Sequence, residues 1–314
     1  MGWRDRIDPA LRKMSRRVPN VTFGPFVTRG FRLLMKVAPM GATPGVETRT
    51  VELGDQRVVV FTPTAGLKAP AALMWIHGGG RIVGVPEMDG WTCARLALEL
   101  GVVVVAASYG LAPERPFPAG LDDCHAAWSW LVAHAGELGI DPERIALGGE
   151  SAGGGIAAEL TQRLVDEGGV SPRAQLLVYP MLDDRTAIDP ELPKDHLVWN
   201  NRSNLYAWTC YLGHAPGEKE PPPYAVAARR EDLGGLPPAW FTIGELDLFL
   251  GENRAYAARL EEAGVRVTME FVPGAFHGFY ASGRYEAPIV AVHESMDRFL
   301  TEELGLDPHV VVGA

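Results

Sequence analysis

Apolar residues recur at spacings of three and four from the start of the chain. Trp3, Ile7, Leu11, Met14 and Val18 predict a helix with one apolar face, and Asp8-Pro9 supplies a cap followed by a first-turn proline. Phe23, Phe26, Val27, Phe31, Leu34 and Val37 predict a second such helix, ended by Pro39 and the stretch from Gly41 to Gly45. The period then changes. Residues 46–53 alternate and 57–62 are β-branched and bounded by turn residues, which predicts an antiparallel strand pair. Short, mostly apolar runs follow at 71–77, 101–108, 145–148, 175–179, 239–243 and 266–272. Helical patterns around 87–100, 119–137, 152–166, 251–264 and 286–304 separate them. Such alternation predicts an α/β fold with a mostly parallel sheet covered on both faces and ligand sites at the carboxyl ends of the strands.

One interval breaks that rhythm. Almost sixty residues lie between Pro180 and Ala239, including a Pro-rich piece at 221–223 and a helical piece with Trp199, Tyr206, Trp208, Tyr211 and Leu212. This exceeds a simple crossover. The expected organisation is a helical cap made of residues 1–45 and 185–228 over a catalytic core of residues 46–184 and 229–314. The cap aromatics either wall an apolar pocket or hold the cap to the core.

Composition narrows the function classes. A chain of 314 residues, 47% hydrophobic, can bury a large core, and its formal charge of -10 argues against nucleic acid as a general partner. Residues 1–44 nevertheless hold nine Arg or Lys against two Asp, which reads as a solvated basic helix face in the absence of a second membrane signal. Cys93, Cys124 and Cys210 are odd in number and lack C-x-x-C spacing, so neither a disulfide framework nor a metal site is expected. No apolar run approaches the roughly 18 residues of a membrane span, and a soluble, cytoplasmic protein is expected.

The chemistry centres on Arg144-Ile-Ala-Leu-Gly-Gly-Glu-Ser-Ala-Gly-Gly154, a buried strand that stops at a tight turn and restarts as a helix. Gly149 and Gly153 flank Ser151 in the G-x-S-x-G pattern of an exposed nucleophile. The following helix N-terminus directs N–H groups and a positive dipole end at the reaction centre. Upstream, His77-Gly-Gly-Gly80 follows a buried strand. Gly79, Gly80 and Ala152 are the expected oxyanion donors, with His77 and Gly78 supporting the loop. A serine needs a base and the base an orienting acid. His277, in the glycine-flanked loop Pro273-Gly-Ala-Phe-His-Gly-Phe279, is the expected base. Asp247, at the end of Gly244-Glu-Leu-Asp247, is the expected acid, with Glu245 as near competitor and Asp183 or Asp184 as distant ones.

With those residues in place, the chain from about Ala71 to Leu300 resembles the hormone-sensitive lipase family of α/β-hydrolases, the microbial family IV carboxylesterases. The resemblance rests on His77-Gly-Gly-Gly80, Tyr109-Gly-Leu-Ala-Pro-Glu-Arg-Pro-Phe-Pro-Ala119, Gly149-Glu-Ser-Ala-Gly-Gly154, Tyr179-Pro180, Gly244-Glu-Leu-Asp247 and Phe276-His-Gly-Phe279. It implies an eight-stranded sheet with one antiparallel strand, a helical cap, and hydrolysis of short- to medium-chain acyl esters without a cofactor. It also implies homodimers paired through the edge of the last strand, here 266–272. Acyl transferase, lyase, amidase and non-catalytic receptor readings share the scaffold. Arg81 departs from the aromatic common after the glycines, implying a more polar pocket floor or a pairing with Glu150 or Glu87, and it could mark an acidic substrate. Gly110 replaces a frequent arginine, and 248–252 lacks the usual proline and arginine-aspartate pair.

Overall fold

The mostly apolar runs become the interior of one sheet. In the computed structural model, which describes residues 3–18, 20–35, 41–193, 196–217 and 219–307, eight strands pair in the order β1-β2-β4-β3-β5-β6-β7-β8. They are β1 (Val46–Leu53), β2 (Gln56–Pro63), β3 (Ala72–Ile76), β4 (Val103–Ala107), β5 (Ile145–Glu150), β6 (Gln175–Val178), β7 (Ala239–Gly244) and β8 (Val267–Val272). β2 runs antiparallel to both β1 and β4, and every other neighbouring pair is parallel. In the parallel register Ile76 lies opposite Ala107 and Gly149, Glu150 opposite Val178, and Gly244 opposite Val272. The carboxyl ends of β3, β5, β7 and β8 therefore share one rim.

The longer helices are α1 (Pro25–Met35), α2 (Gly90–Leu100), α3 (Ala119–Ala133), α4 (Ala152–Glu167), α5 (Asn201–Leu212), α6 (Leu250–Glu262) and α7 (Ala287–Glu303), of which α2, α3, α4, α6 and α7 cover the two faces of the sheet. The sheet divides the apolar interior in two. Leu73, Trp75, Val104, Leu176 and Trp240 belong to the layer with α2, α7 and the N-terminal segment, whereas Met74, Ile76, Val105, Leu147 and Phe241 belong to the layer with α3 and α6. Alternation along each strand sends successive side chains to opposite layers.

Two expectations need correction. The helix foreseen over Trp3 to Val18 is instead two 3₁₀ turns, Trp3–Arg6 and Pro9–Leu11, followed by a helical turn at Arg12–Ser15. Pro9 disfavours helical backbone at Asp8, whose N–H is tied to the Gly274 carbonyl at 3.1 Å. The apolar face still buries Ile7, Leu11 and Met14, and Asp8 does cap, accepting from Ala10 N at 2.7 Å. In the second helix, α1, the apolar positions do not all turn inward. Thr28 is buried, and Arg32 donates to the carbonyls of Ile82 (2.7 Å) and Ala112 (2.5 Å) and to Glu114 (2.7 Å), which sets the roll of the helix. Phe26 is left 88% exposed, with Leu33 and Leu34 also outside. The Trp3 side chain, Val37 and Pro39 lie outside the described residues.

The N-terminal segment is bonded to the residues around α5. Phe23 N donates to Ser203 Oγ and Asn200 Nδ2 to Thr22 Oγ1, each at 2.9 Å. Phe23 also packs on Trp199 with ring centroids 5.6 Å apart.

Candidate active site

β5 delivers Ser151 to the rim at the start of α4. Its backbone sits at φ 53°, ψ -117°, a left-handed conformation uncommon for a residue with a side chain, held by hydrogen bonds from Ser151 N to Val178 O and from Met181 N to Ser151 O, both 2.9 Å. Gly153 makes the turn sterically feasible. A Cβ there would lie 2.0 Å from the Ile76 carbonyl oxygen, inside any tolerable contact.

The loops after β7 and β8 bring the other two groups to the serine. Ser151 Oγ lies 2.9 Å from His277 Nε2, and His277 Nδ1 lies 2.9 Å from Asp247 Oδ2. A carboxylate only accepts, so Nδ1 carries the proton and Nε2 is free to accept from the serine hydroxyl. Asp247 Oδ1 is fixed by the Phe249 amide at 2.9 Å. The His277 ring is steadied by Phe249, edge-on at 5.2 Å, and by Tyr179 at 4.8 Å. Ser151, Asp247 and His277 are 6%, 4% and 4% exposed, so the relay sits in low dielectric. Glu245 points elsewhere, accepting from Arg6 (2.7 Å) and Gly274 N (3.0 Å), and Arg6 holds its carboxyl below the usual range. Asp183 is paired with Arg185 and Asp184 with Arg229. The structure thus brings Asp247, and none of its competitors, to the imidazole.

The glycine loop after β3 approaches from one side. Among the described residues, the amides of Gly79, Gly80 and Ala152 join no turn, loop or cap backbone hydrogen bond. Gly80, at φ 61°, lies under Trp199, whose ring would be 2.1 Å from a Cβ at that position. His77 braces the loop: Nδ1 donates to the Gly78 carbonyl at 2.8 Å, and the ring stacks on Tyr109 at 4.3 Å. The Tyr109 hydroxyl returns a hydrogen bond to His77 O at 3.1 Å. Burial pushes the His77 imidazole down to about 4, so it is neutral at pH 7. A cavity of about 610 Å³ bounded by Arg32, Arg57, His77, Tyr109 and Arg115 does not take in Ser151.

Arg81 corrects the sequence reading. It is fully buried and meets neither Glu150 nor Glu87; its Nη1 and Nη2 donate to Glu159 Oε2 and Oε1, both at 2.8 Å, and its guanidinium lies 4.1 Å from the Tyr211 ring centre and 4.7 Å from that of Trp208. Glu87 instead takes Arg57. Arg81 is therefore a fastener between the oxyanion-side loop, α4 and α5, neutralised inside the protein and unavailable to an acidic substrate. Burial lifts the Glu159 carboxyl to about 7 against the pull of Arg81. Glu159 was missed in the sequence, although a lone acid amid Gly155, Ile156, Ala158 and Leu160 on an inward helix face was a legible signal.

A sheet with one antiparallel strand, carrying a serine from its central parallel strand onto a helix N-terminus, defines an α/β-hydrolase. Residues 73–281 match the family model described as alpha/beta hydrolase fold, and this chain belongs to that family, in its hormone-sensitive-lipase branch. It is 35% identical over 297 residues to carboxylesterase NlhH of Mycobacterium tuberculosis, covering 88% of this chain and 89% of that one. It is 35% identical over 222 residues to an ethyl acetate hydrolase of Pseudomonas putida, covering 68% of each. Among solved structures it superposes on a bacterial heroin esterase with a TM-score of 0.85 at 33% identity, over 96% of this chain and 98% of that one. Esterase LipW from Mycobacterium marinum gives 0.83 at 29%, over 96% of each. No helix among the described residues is long and apolar enough to cross a membrane.

Proposed function

We propose that this chain is a serine carboxylesterase that hydrolyses short- to medium-chain acyl esters through an acyl-enzyme on Ser151. The observation that carries this reading is the unbroken relay from Ser151 Oγ to His277 Nε2 and from His277 Nδ1 to Asp247, each step 2.9 Å. His277 takes the hydroxyl proton as Ser151 attacks the ester carbonyl, and Asp247 keeps the imidazole in the correct tautomer and stabilises the imidazolium. The amides of Gly79, Gly80 and Ala152 receive the oxyanion, each such donor contributing roughly 2.7–4 kcal/mol to the transition state. His277 then protonates the departing alcohol, and water, deprotonated by the same imidazole, releases the acid. No cofactor enters these steps.

Residues 1–45 and 185–228 act as the cap, and Trp199, seated over Gly80 and backed by Phe23, is the wall that limits the acyl chain. The edge of β8 is the surface through which two copies would pair, with Phe271 partly exposed along it. Free cysteines at 93, 124 and 210 suit a reducing, cytoplasmic setting.

The test is hydrolysis of p-nitrophenyl acetate, butyrate, octanoate and palmitate, together with diisopropyl fluorophosphate labelling read by peptide mass spectrometry. Acetate and butyrate should be the faster substrates, and one diisopropylphosphoryl group should appear on Ser151 with loss of fluoride. Background rates on all four esters with an unlabelled serine would refute the esterase. Trp199→Ala should move the preference toward octanoate by at least roughly tenfold in relative kcat/KM, the scale of one to two extra methylenes accommodated. An unchanged chain-length profile would remove Trp199 from the pocket wall.

A further inference from the structure

Directly before the serine, two carboxyl groups meet inside the protein. Glu150 and Asp89 are 7% and 5% exposed and share a hydrogen bond. Trp75 Nε1 donates to Asp89 Oδ2 at 2.8 Å, and the Tyr179 hydroxyl donates to Glu150 Oε2 at 3.0 Å. That hydroxyl in turn accepts from Ala281 N at 3.3 Å, and the Tyr179 ring lies against His277. Glu150 Oε1 is 3.1 Å from where a side chain on Gly78 would begin, which tucks the carboxyl beneath the oxyanion loop. The strand-to-helix turn that presents Ser151 thus also fixes Glu150.

Burial pushes both carboxyls up, and their shared hydrogen bond raises Asp89 further while lowering Glu150. Within the pair, therefore, Glu150 is the readier to give up its proton and Asp89 the readier to keep one, and Glu150 accepts from the Tyr179 hydroxyl. The other titratable neighbours are neutral: burial raises Cys93 on α2, Tyr109 after β4 and Tyr179 after β6, and lifts Tyr280 to about 12. Among the described residues, no arginine or lysine is paired with Glu150 or Asp89, and the cationic group that acts on Glu150 is the His277 imidazole. A buried carboxylate without a permanent cation has its counter-charge only when that imidazole is protonated.

We propose that Glu150 is a positioning residue for His277, a second counter-charge that becomes effective when the imidazole takes up a proton. Asp247 orients Nδ1 by direct contact, whereas Glu150 lies under the glycine loop and is joined to the imidazole through Tyr179, whose hydroxyl it holds and whose ring lies 4.8 Å from that of His277. An attraction that comes into play only with the imidazolium formed during attack lowers the barrier without tightening substrate binding. For its effect on rate the inference rests on the esterase reading above; its effect on the imidazole does not.

The experiment is an NMR titration of the His277 imidazole in Ser151→Ala protein, with and without Glu150→Gln, accompanied by kcat/KM–pH profiles of Glu150→Gln with the serine intact. Glu150→Gln should lower the titration midpoint by about one pH unit, the size of effect a nearby carboxylate has on an opposite charge. The acidic limb of kcat/KM should move down with it, and the neutral plateau should fall about tenfold. Tyr179→Phe, which leaves the buried ring in place and strips one donor from Glu150, should shift the midpoint the same way by less, and it serves if Glu150→Gln does not fold. Asp89→Asn, which still donates a hydrogen bond but has no proton to share, should leave the midpoint at or above its original value. A midpoint within about 0.2 unit of the parent in both Glu150→Gln and Tyr179→Phe overturns the proposal, whatever happens to the rates. A loss of rate with an unmoved midpoint likewise assigns Glu150 a purely structural part. Because the titration needs no turnover, failure of the esterase reading shows separately, as wild-type rates no higher than those of Ser151→Ala.

Discussion

Ser151→Ala is expected to lower kcat on p-nitrophenyl acetate by about 10⁶-fold, with residual catalysis from binding and the oxyanion amides alone. That is about 8 kcal/mol of transition-state stabilisation lost with one oxygen atom. The relay acts as a unit: without the hydroxyl, His277 Nε2 has nothing to deprotonate, and Asp247 holds an imidazole with no task. The fold should persist, because the hydrogen bonds of the turn are made by the backbone at 151 rather than by Oγ. A thermal melt coincident with wild type and a rate at background make the pair of results decisive. A variant retaining more than about 1% of wild-type kcat would mean that another nucleophile carries the reaction.

Arg81→Ala should have the largest effect on stability. It strands Glu159, which is fully buried, without its bidentate partner, and removes the guanidinium from between the rings of Trp208 and Tyr211. Breaking a buried pair from one side costs about 3–5 kcal/mol, or roughly 10 °C in melting temperature for a chain of this size. The loss carries a pH signature. In the wild type the Glu159 carboxyl is lifted by burial from its ordinary 4.5 to about 7, so the native state holds that proton more tightly than the unfolded chain. Its contribution to stability therefore falls as pH rises from about 4.5 to about 7. Without Arg81 the carboxyl rises further, so Arg81→Ala should be destabilised less at pH 5, where Glu159 can be protonated, than at pH 8. Melts at the two pH values check this; equal losses would show that ring packing, not the stranded carboxylate, dominates. Arg81→Met with Glu159→Leu should recover much of the deficit, since an apolar pair of similar volume leaves no buried charge.

How far the sequence carried the fold depended on how local the controlling interaction was. The strands at 72–76, 103–107 and 239–244 were legible because full burial on both faces favours apolar residues at nearly every position, with Thr242 the one exception, and that signal lies within each run. The relay was legible because a serine turn, a histidine loop and an acid loop each follow a strand whose carboxyl end must reach the same rim. The first helix was not, since Gly274, far along the chain, holds Asp8 in an extended backbone just before the Pro9 turn. The roll of α1 was hidden for the same kind of reason. Its apolar period is genuine, but the bonds from Arg32 to Ile82, Ala112 and Glu114 outweigh it. The partner of Arg81 lies 78 residues away, beyond any spacing rule, and the reading went instead to Glu87, close in sequence, and to Glu150, beside the serine.

The sheet that separates the two interior layers also separates what can vary. Leu73 and Met74 are adjacent in sequence yet belong to different interiors, so a change of volume at one reaches a different set of neighbours from a change at the other. Ser151 stands where the strand ends, but Trp199, Trp208 and Phe249 all lie in the layer shared with the N-terminal segment. That layer can be rebuilt residue by residue to admit new acyl groups while the layer of α3 and α6 keeps its own packing. Two such sets of substitutions should combine with little epistasis, and a lineage can explore substrates in one half of its interior while the other half keeps it folded.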